Sequence, residues 1–209
     1  GHHIDDLHEN FLIRLVRGRG LKGLISMDKT SDFKINNIEI IRPLLDIEKR
    51  YLQSLSLKVY KNYIKDPSNQ NKDFKRIRIR RLLRDLEIEG LDKKKLQLTI
   101  NNLKDSYTSV IFYTNKNIKE NSVYSLKHNK YILSSKFFDQ SDEVIFRSMT
   151  DLLRMVSSKY YPSRGKSVKE LISAINLNKQ LKTTLGGCII EKVNRTVFIS
   201  PEKPQKKQI

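Results

Sequence analysis

The sequence predicts an α/β chain in two parts, a mixed first part and a mainly helical second part closed by a β-hairpin. Three observations predict it. Several segments place apolar residues three and four apart, the helical spacing, whereas residues 32–41 alternate every second residue. Two β-rich runs near the end flank Asn194-Arg195 as hairpin strands flank a turn. The 209 residues allow one large or two small domains. The shift in character near residue 90 favours two, 1–90 and 91–200, before a Lys- and Gln-rich tail, 201–209, read as disordered.

The first helix is expected from residue 3 to Val16, stopped by Gly18-Arg19-Gly20. Leu12, Leu15 and Val16 form its anchoring flank. On another face, His2, Asp6 and Glu9 fall at i, i+4 and i+7. One imidazole and two carboxylates so placed suit proton transfer, a hard cation or a substrate ammonium. The plainer alternative is a solvated helix start whose acids complement the macrodipole. Residues 21–27 read as a short apolar helix or loop, and residues 32–41, with Phe33, Ile35, Ile38 and Ile40, as one strand. Arg42-Pro43-Leu44-Leu45 breaks it. Asp46 then caps a helix carrying Ile47, Tyr51, Leu52 and Leu55. Asp66-Pro67-Ser68-Asn69 is a turn by composition. The basic helix that follows puts Arg76 and Arg80 on one face and Arg78 on a different side.

Beyond residue 91, residues 92–103 and 142–157 read as helices, with 107–113 and 123–133 as less regular segments. Tyr160 to Gly165 is a loop, and Ser167 caps a helix to Ile175, with Glu170 completing a capping box.

Lys and Arg number 41 against 23 Asp and Glu, a net charge of +18, which favours a polyanion through release of its counterions. Abundant Lys, Ile and Asn reflect a compositional bias that inflates Lys. The clustering of Arg is less sensitive to it and points to nucleic acid. The single cysteine, Cys188, excludes an internal disulfide and a zinc site built on Cys pairs; its apolar neighbours read as core. No apolar run reaches membrane-spanning length and no signal peptide precedes the first residue, so a cytoplasmic protein without a membrane partner is expected.

Four motifs in order resemble those of the tRNA(Ile)-lysidine synthase family, within the PP-loop ATP pyrophosphatase superfamily. His2 to Glu9 is similar to its HHxDDxxE motif and Arg17 to Leu24 to its RGxGLxGL loop. Arg42 to Leu45 is similar to RPLL, and Asp66 to Asn69, with Phe74, Arg76, Arg78 and Arg80, to DPSNxxxxFxRxRxR. Thr184 to Cys188 adds a softer likeness to the C-terminal hairpin of shorter members. The SGGxDS PP-loop of the family is not found among the 209 residues, and Leu7, Asn10 and Arg19 depart from its usual residues.

The resemblance implies the C-terminal part of a Rossmann-like PP-loop ATPase domain followed by a tRNA-contacting domain. It implies ATP and Mg²⁺ as cofactors, with L-lysine and an isoleucine tRNA bearing the CAU anticodon as substrates. It assigns catalysis to His2, Asp6, Glu9 and Arg78. Substrate and tRNA binding fall to Arg17, Gly18, Gly20, Arg76 and Arg80. Read from the residues, Tyr160, Tyr161 and Arg164 form a candidate stacking patch for anticodon bases, with packing of the tyrosines in a core as the alternative. Asp6 and Glu9 serve either the lysine amine or Mg²⁺; the sequence does not separate these roles. Gly18 serves equally as a plain helix cap. Without the PP-loop the chain is expected to be inactive alone, which brings in an upstream PP-loop polypeptide as partner, beside a homodimer. The other readings are a non-catalytic tRNA-binding remnant and a metal-dependent hydrolase built on His2, Asp6 and Glu9.

Overall fold

In a computed structural model, residues 1–33, 38–62 and 74–202 are described. The Asp66 to Asn69 turn and the tail beyond Glu202 lie outside them. The chain divides into two compact units, Gly1–Tyr107 and Thr108–Ile209, the division falling within one long helix.

The first unit opens with α1, Ile4–Leu15, and a one-turn helix α2, Leu21–Leu24. Gly18, at φ +64°, takes the left-handed conformation that lets Arg19 N–H return to the Arg14 carbonyl at 3.1 Å and close α1. Leu7, Phe11 and Leu12 bury against Met27, Leu45, Ile79, Leu96 and Ile100. Leu15 and Val16 stay exposed, so the anchoring flank lies one turn earlier than expected. Arg14 holds α2 in place by donating to Asn10 Oδ1 at 2.9 Å and the Gly23 carbonyl at 2.6 Å.

The expected single strand at 32–41 is instead an antiparallel hairpin, β1 (Thr30–Phe33) with β2 (Ile38–Ile41). Alternation shows extended backbone but not how extended segments pair; Ile35 lies outside the described residues. The next helix, α3 (Lys49–Tyr60), starts after Glu48 rather than after Asp46, whose carboxylate pairs with Lys29. α4 (Lys75–Ile88) follows as expected and packs on α1. α5 (Lys93–Asn121) joins the two segments 92–103 and 107–113 into one helix, since no Gly or Pro interrupts it.

In the second unit, residues 123–133 resolve into a hairpin, β3 (Ser122–Ser125) and β4 (Lys130–Leu133), turning at left-handed Asn129. A 3₁₀ turn at Ser135–Phe138 leads to α6 (Asp142–Ser157), then α7 (Gly165–Leu177). Ser167 is therefore inside α7, and Arg164 occupies the N-cap position. The terminal hairpin gains a third strand. β5 (Gln180–Leu185), β6 (Cys188–Val193) and β7 (Thr196–Pro201) join the earlier pair in an antiparallel sheet of order β3-β4-β7-β6-β5.

Helices α6 and α7 cover one face of this sheet, packing Met149, Leu152, Leu153, Val168, Leu171 and Ile175 on Leu133, Cys188, Ile190, Val197 and Ile199. Each such side chain stabilises the fold by about 1.5–3 kcal/mol. A buried polar chain ties the end of α5 to α6: Asn117 Nδ2 donates to Ser148 Oγ and to the Phe137 carbonyl, both at 3.2 Å. Among the described residues no helix is long and apolar enough to cross a membrane.

Candidate functional site

In the first unit the site is built where α4 lies along the N-terminal half of α1. Because Asp6 and Glu9 are three apart on α1, and Arg76 and Arg80 four apart on α4, two acids face two bases. Arg80 donates from Nε to Glu9 Oε1 at 2.5 Å and from Nη2 to Oε2 at 3.4 Å. Glu9 is only 3% exposed, and its hydrogen bond raises the Arg80 guanidinium above its ordinary pKa against the pull of burial. Asp6 Oδ2 accepts the His3 backbone N–H at 3.1 Å, and its Oδ1 stands 3.9 Å from Arg76 Nη1.

His2 does not share this face. It is exposed and precedes the helix, whose N-cap is His3, so the i, i+4 relation to Asp6 has no helix to act through. His3 takes the nearby position instead, with Nε2 at 3.5 Å from Asp6 Oδ2. Arg78 is exposed, turned away from the Arg76 and Arg80 row. Arg17, Gly18 and Gly20 lie beyond the other end of α1 from Asp6.

Sequence reasoning missed a second cluster on the same helix. Asp5 accepts the Lys49 backbone N–H at 2.9 Å, holding the start of α3, and Lys93 Nζ at 2.6 Å, from the start of α5. Burial alone would raise the Asp5 carboxyl; the bonds and charge from Lys93 and Lys49 outweigh it and hold its pKa low. Burial works against the Lys93 ammonium as well, but Asp5 and Glu48 raise its pKa on balance. The partners are 88 residues apart, so no local pattern announces the pair. His8, 2% exposed, meets Gln97 Oε1 at 2.9 Å through Nε2, and burial lowers its pKa. A cleft of about 310 Å³ opens beside these groups, with Asp5, His8, Glu9, Arg80 and Lys93 in its wall.

Tyr161 and Arg164 belong to the second unit. Tyr161 is 76% exposed and meets Tyr160 edge to face at 4.6 Å, so it is surface rather than core. Arg164 is exposed at the start of α7.

Comparison with known proteins gives these elements a context. Residues 1–86 match the PP-loop domain family. Over 97% of its length the chain is 34% identical to the tRNA(Ile)-lysidine synthase of Orientia tsutsugamushi (strain Boryong), covering 47% of that protein. The chain is similar to tRNA(Ile)-lysidine synthases. The synthase of Rickettsia akari (strain Hartford) is 32% identical over 98% of the chain, and that of Wolbachia sp. subsp. Brugia malayi (strain TRS) 29% over all of it. The chain spans about half the length of the curated relatives it matches.

The residues present differ in how they suit the groups such a relationship implies. Arg76 and Arg78, exposed on α4, suit phosphate oxygens of a nucleotide. Asp6 and Glu9 do not form a shared Mg²⁺ site as they stand, because Arg80 donates to both Glu9 oxygens and the His3 N–H to Asp6 Oδ2. Among the described residues no group of three or more His, Cys, Asp and Glu is placed to hold a metal ion. The metal-hydrolase reading gains nothing from this arrangement.

Proposed function

We propose that this chain is the tRNA- and lysine-handling part of a tRNA(Ile)-lysidine synthase, an ATP-dependent ligase acting on tRNA in the cytoplasm. Residues 1–90 are read as the C-terminal part of the catalytic domain and 91–200 as the tRNA-contacting domain. The observation that carries the reading is the row of Asp6 and Glu9 facing Arg76 and Arg80, formed from the segments that resemble two of the family's motifs.

The chemistry has two displacements. O2 of the wobble cytidine attacks the α-phosphorus of ATP and pyrophosphate leaves. The lysine ε-amine then attacks C2, AMP leaves with the bonding pair, and the amine gives up a proton. Asp6 suits the proton: Oδ1 is too far from Arg76 for a hydrogen bond and keeps a lone pair for the amine. Glu9 orients Arg80 and offers negative charge to the incoming ammonium. Arg76 and Arg78 receive the phosphate of the leaving AMP. Arg17, Tyr161 and Arg164 supply phosphate and base contacts to tRNA, while Gly18 is accounted for as a helix cap. The pyrophosphate cradle comes from an SGGxDS segment outside these residues.

The reading is tested by mixing the chain with a separate polypeptide carrying that PP-loop, ATP, radiolabelled lysine and isoleucine tRNA with the CAU anticodon. Lysine incorporated at the wobble cytidine, and lost with Asp6→Asn, is expected. Binding of tRNA without incorporation, beside a PP-loop partner able to exchange pyrophosphate, would favour a non-catalytic tRNA-binding chain.

A further inference from the structure

A separate cleft, of about 320 Å³, opens within the second unit at the end of the sheet where β6 turns into β7. Three elements meet there. The 3₁₀ turn contributes Ser135 and Phe138, with Asp139 directly after it. The end of α7 contributes Ile175 and Asn176, and the β6 to β7 turn contributes Asn194 and Arg195. Asn194 takes a left-handed φ of +55°, as a two-residue hairpin turn requires, and the tight turn places Arg195 at the cleft. Lys192 lines it too, donating from Nζ to the Ile175 carbonyl at 2.5 Å and keeping two N–H groups uncommitted.

An acid and a base share this cleft without pairing. Asp139 and Arg195 are both exposed, and neither makes an ion pair or side-chain hydrogen bond among the described residues. The amides of Asn176 and Asn194 are likewise uncommitted. Such a lining suits a ligand with N–H donors at one end and a negative group at the other. Phe138, partly buried, and the buried Ile175 and Val197 supply apolar contact for a flat ring between those ends.

The donor pattern narrows the ring. Guanine alone among the common bases carries two adjacent N–H donors on one edge, N1–H and the exocyclic amine, which a carboxylate accepts side by side. Adenine and cytosine set one donor beside an acceptor there, which suits an amide better. Guanine O6 and N7 in turn accept from an asparagine amide. A guanidinium and an ammonium then suit one phosphate. Small-molecule sites run from roughly 300 to 1,000 Å³, and a cleft at the lower end of that range holds a single nucleotide.

We infer that this cleft binds one guanine nucleotide, either free or as a guanosine unstacked from an RNA strand. Asp139 reads the N1–H and amine edge, Phe138 contacts the ring, and Arg195 with Lys192 receives the phosphate. The inference stands on the second unit alone and does not depend on the ligase reading.

Calorimetric titration of the 209-residue chain tests it, with GMP, IMP (no exocyclic amine), AMP and guanosine (no phosphate) as probes. Saturable GMP binding is expected, with each other probe about tenfold weaker or more. Asp139→Asn should lower GMP affinity at least about tenfold and bring GMP and IMP level; Arg195→Ala should lower it similarly and narrow the gap between GMP and guanosine. Both side chains are exposed, so circular dichroism and melting of the variants should match the parent chain. The tetranucleotide UUGU, with UUAU as control, separates the two sources. Tighter binding of UUGU than of GMP, lost with Asp139→Asn, would assign the cleft to a guanosine within RNA; weaker or absent binding of UUGU would assign it to the free nucleotide. Equal affinity for GMP and AMP, unchanged GMP affinity in both variants, or no saturable binding of GMP or UUGU would overturn the inference.

Discussion

Arg80 reaches across from α4 to grip both carboxylate oxygens of Glu9, at 2.5 and 3.4 Å, and the acid beneath it is almost fully buried. The pair pins α4 to α1 and holds a carboxylate at the cleft wall that would otherwise be costly to bury.

Removing the acid alone should therefore cost more than removing the pair. Glu9→Gln leaves a partly buried guanidinium without its counter-charge and should destabilise the chain by about 1–2 kcal/mol, discounted because Arg80 keeps some solvent contact. Arg80→Lys keeps the charge but loses the two-pronged geometry and should not restore full stability. The double variant Glu9→Gln with Arg80→Met should recover part of the loss. Urea unfolding of these proteins and of the Arg80→Met single variant measures this, and additivity of the Glu9→Gln and Arg80→Met losses in the double variant would show that the pair is not coupled.

The His8 environment predicts a loss of stability in mild acid. Its pKa is lowered in the folded chain, so the folded state binds a proton less readily than the unfolded state does. Stability from the neutral ring is present above the ordinary value of 6.5 and is lost as pH falls below it toward the folded pKa. His8→Gln should flatten the dependence of melting temperature on pH in that window. An unchanged slope would place its origin in another group.

At Cys188 the expectation concerns reactivity. Burial pushes the thiol up to about 11, and it donates to the Leu153 carbonyl at 3.3 Å. It should resist thiol reagents at neutral pH and react at once on unfolding. Because the folded pKa lies above the ordinary 9.0, the contribution of the neutral thiol falls as pH rises from about 9 toward about 11. Rapid labelling of native chain would contradict its burial.

The Gly186 turn between β5 and β6 should tolerate no side chain without cost. Its φ is +66°, and a Cβ would meet Ser163 Oγ at 2.2 Å. The hydroxyl can swing aside, so the backbone term decides, and Gly186→Ala should destabilise by about 1–2 kcal/mol. Thermal melting checks this. If Ser163→Gly fully rescues the variant, contact rather than backbone conformation was limiting.

Much of this was legible in the sequence because it is local. Helical spacing placed α1, α4 and α6, and the fixed offsets put Asp6 with Glu9 on one face of α1 and Arg76 with Arg80 on one face of α4, though not that the two faces meet. What escaped depends on residues far apart or on ends. His2 missed the face because the helix began two residues later, a boundary that periodicity does not set. The Asp5 to Lys93 bond spans 88 positions and carries no local signature. β5 was hidden by Thr183 on its inward face, where an apolar residue would have made the alternation plain, and its pairing with β6 needed the whole sheet.

Selective recognition of one tRNA would mark chemistry rather than bulk charge. It is tested most directly by binding of the 209-residue chain to isoleucine tRNA with the CAU anticodon, against elongator methionine tRNA, across a salt series. A preference for the isoleucine tRNA that persists as salt weakens both is expected. Equal affinities, falling together with the same steep slope, would mean that only the net charge of +18 is acting, and would contradict it.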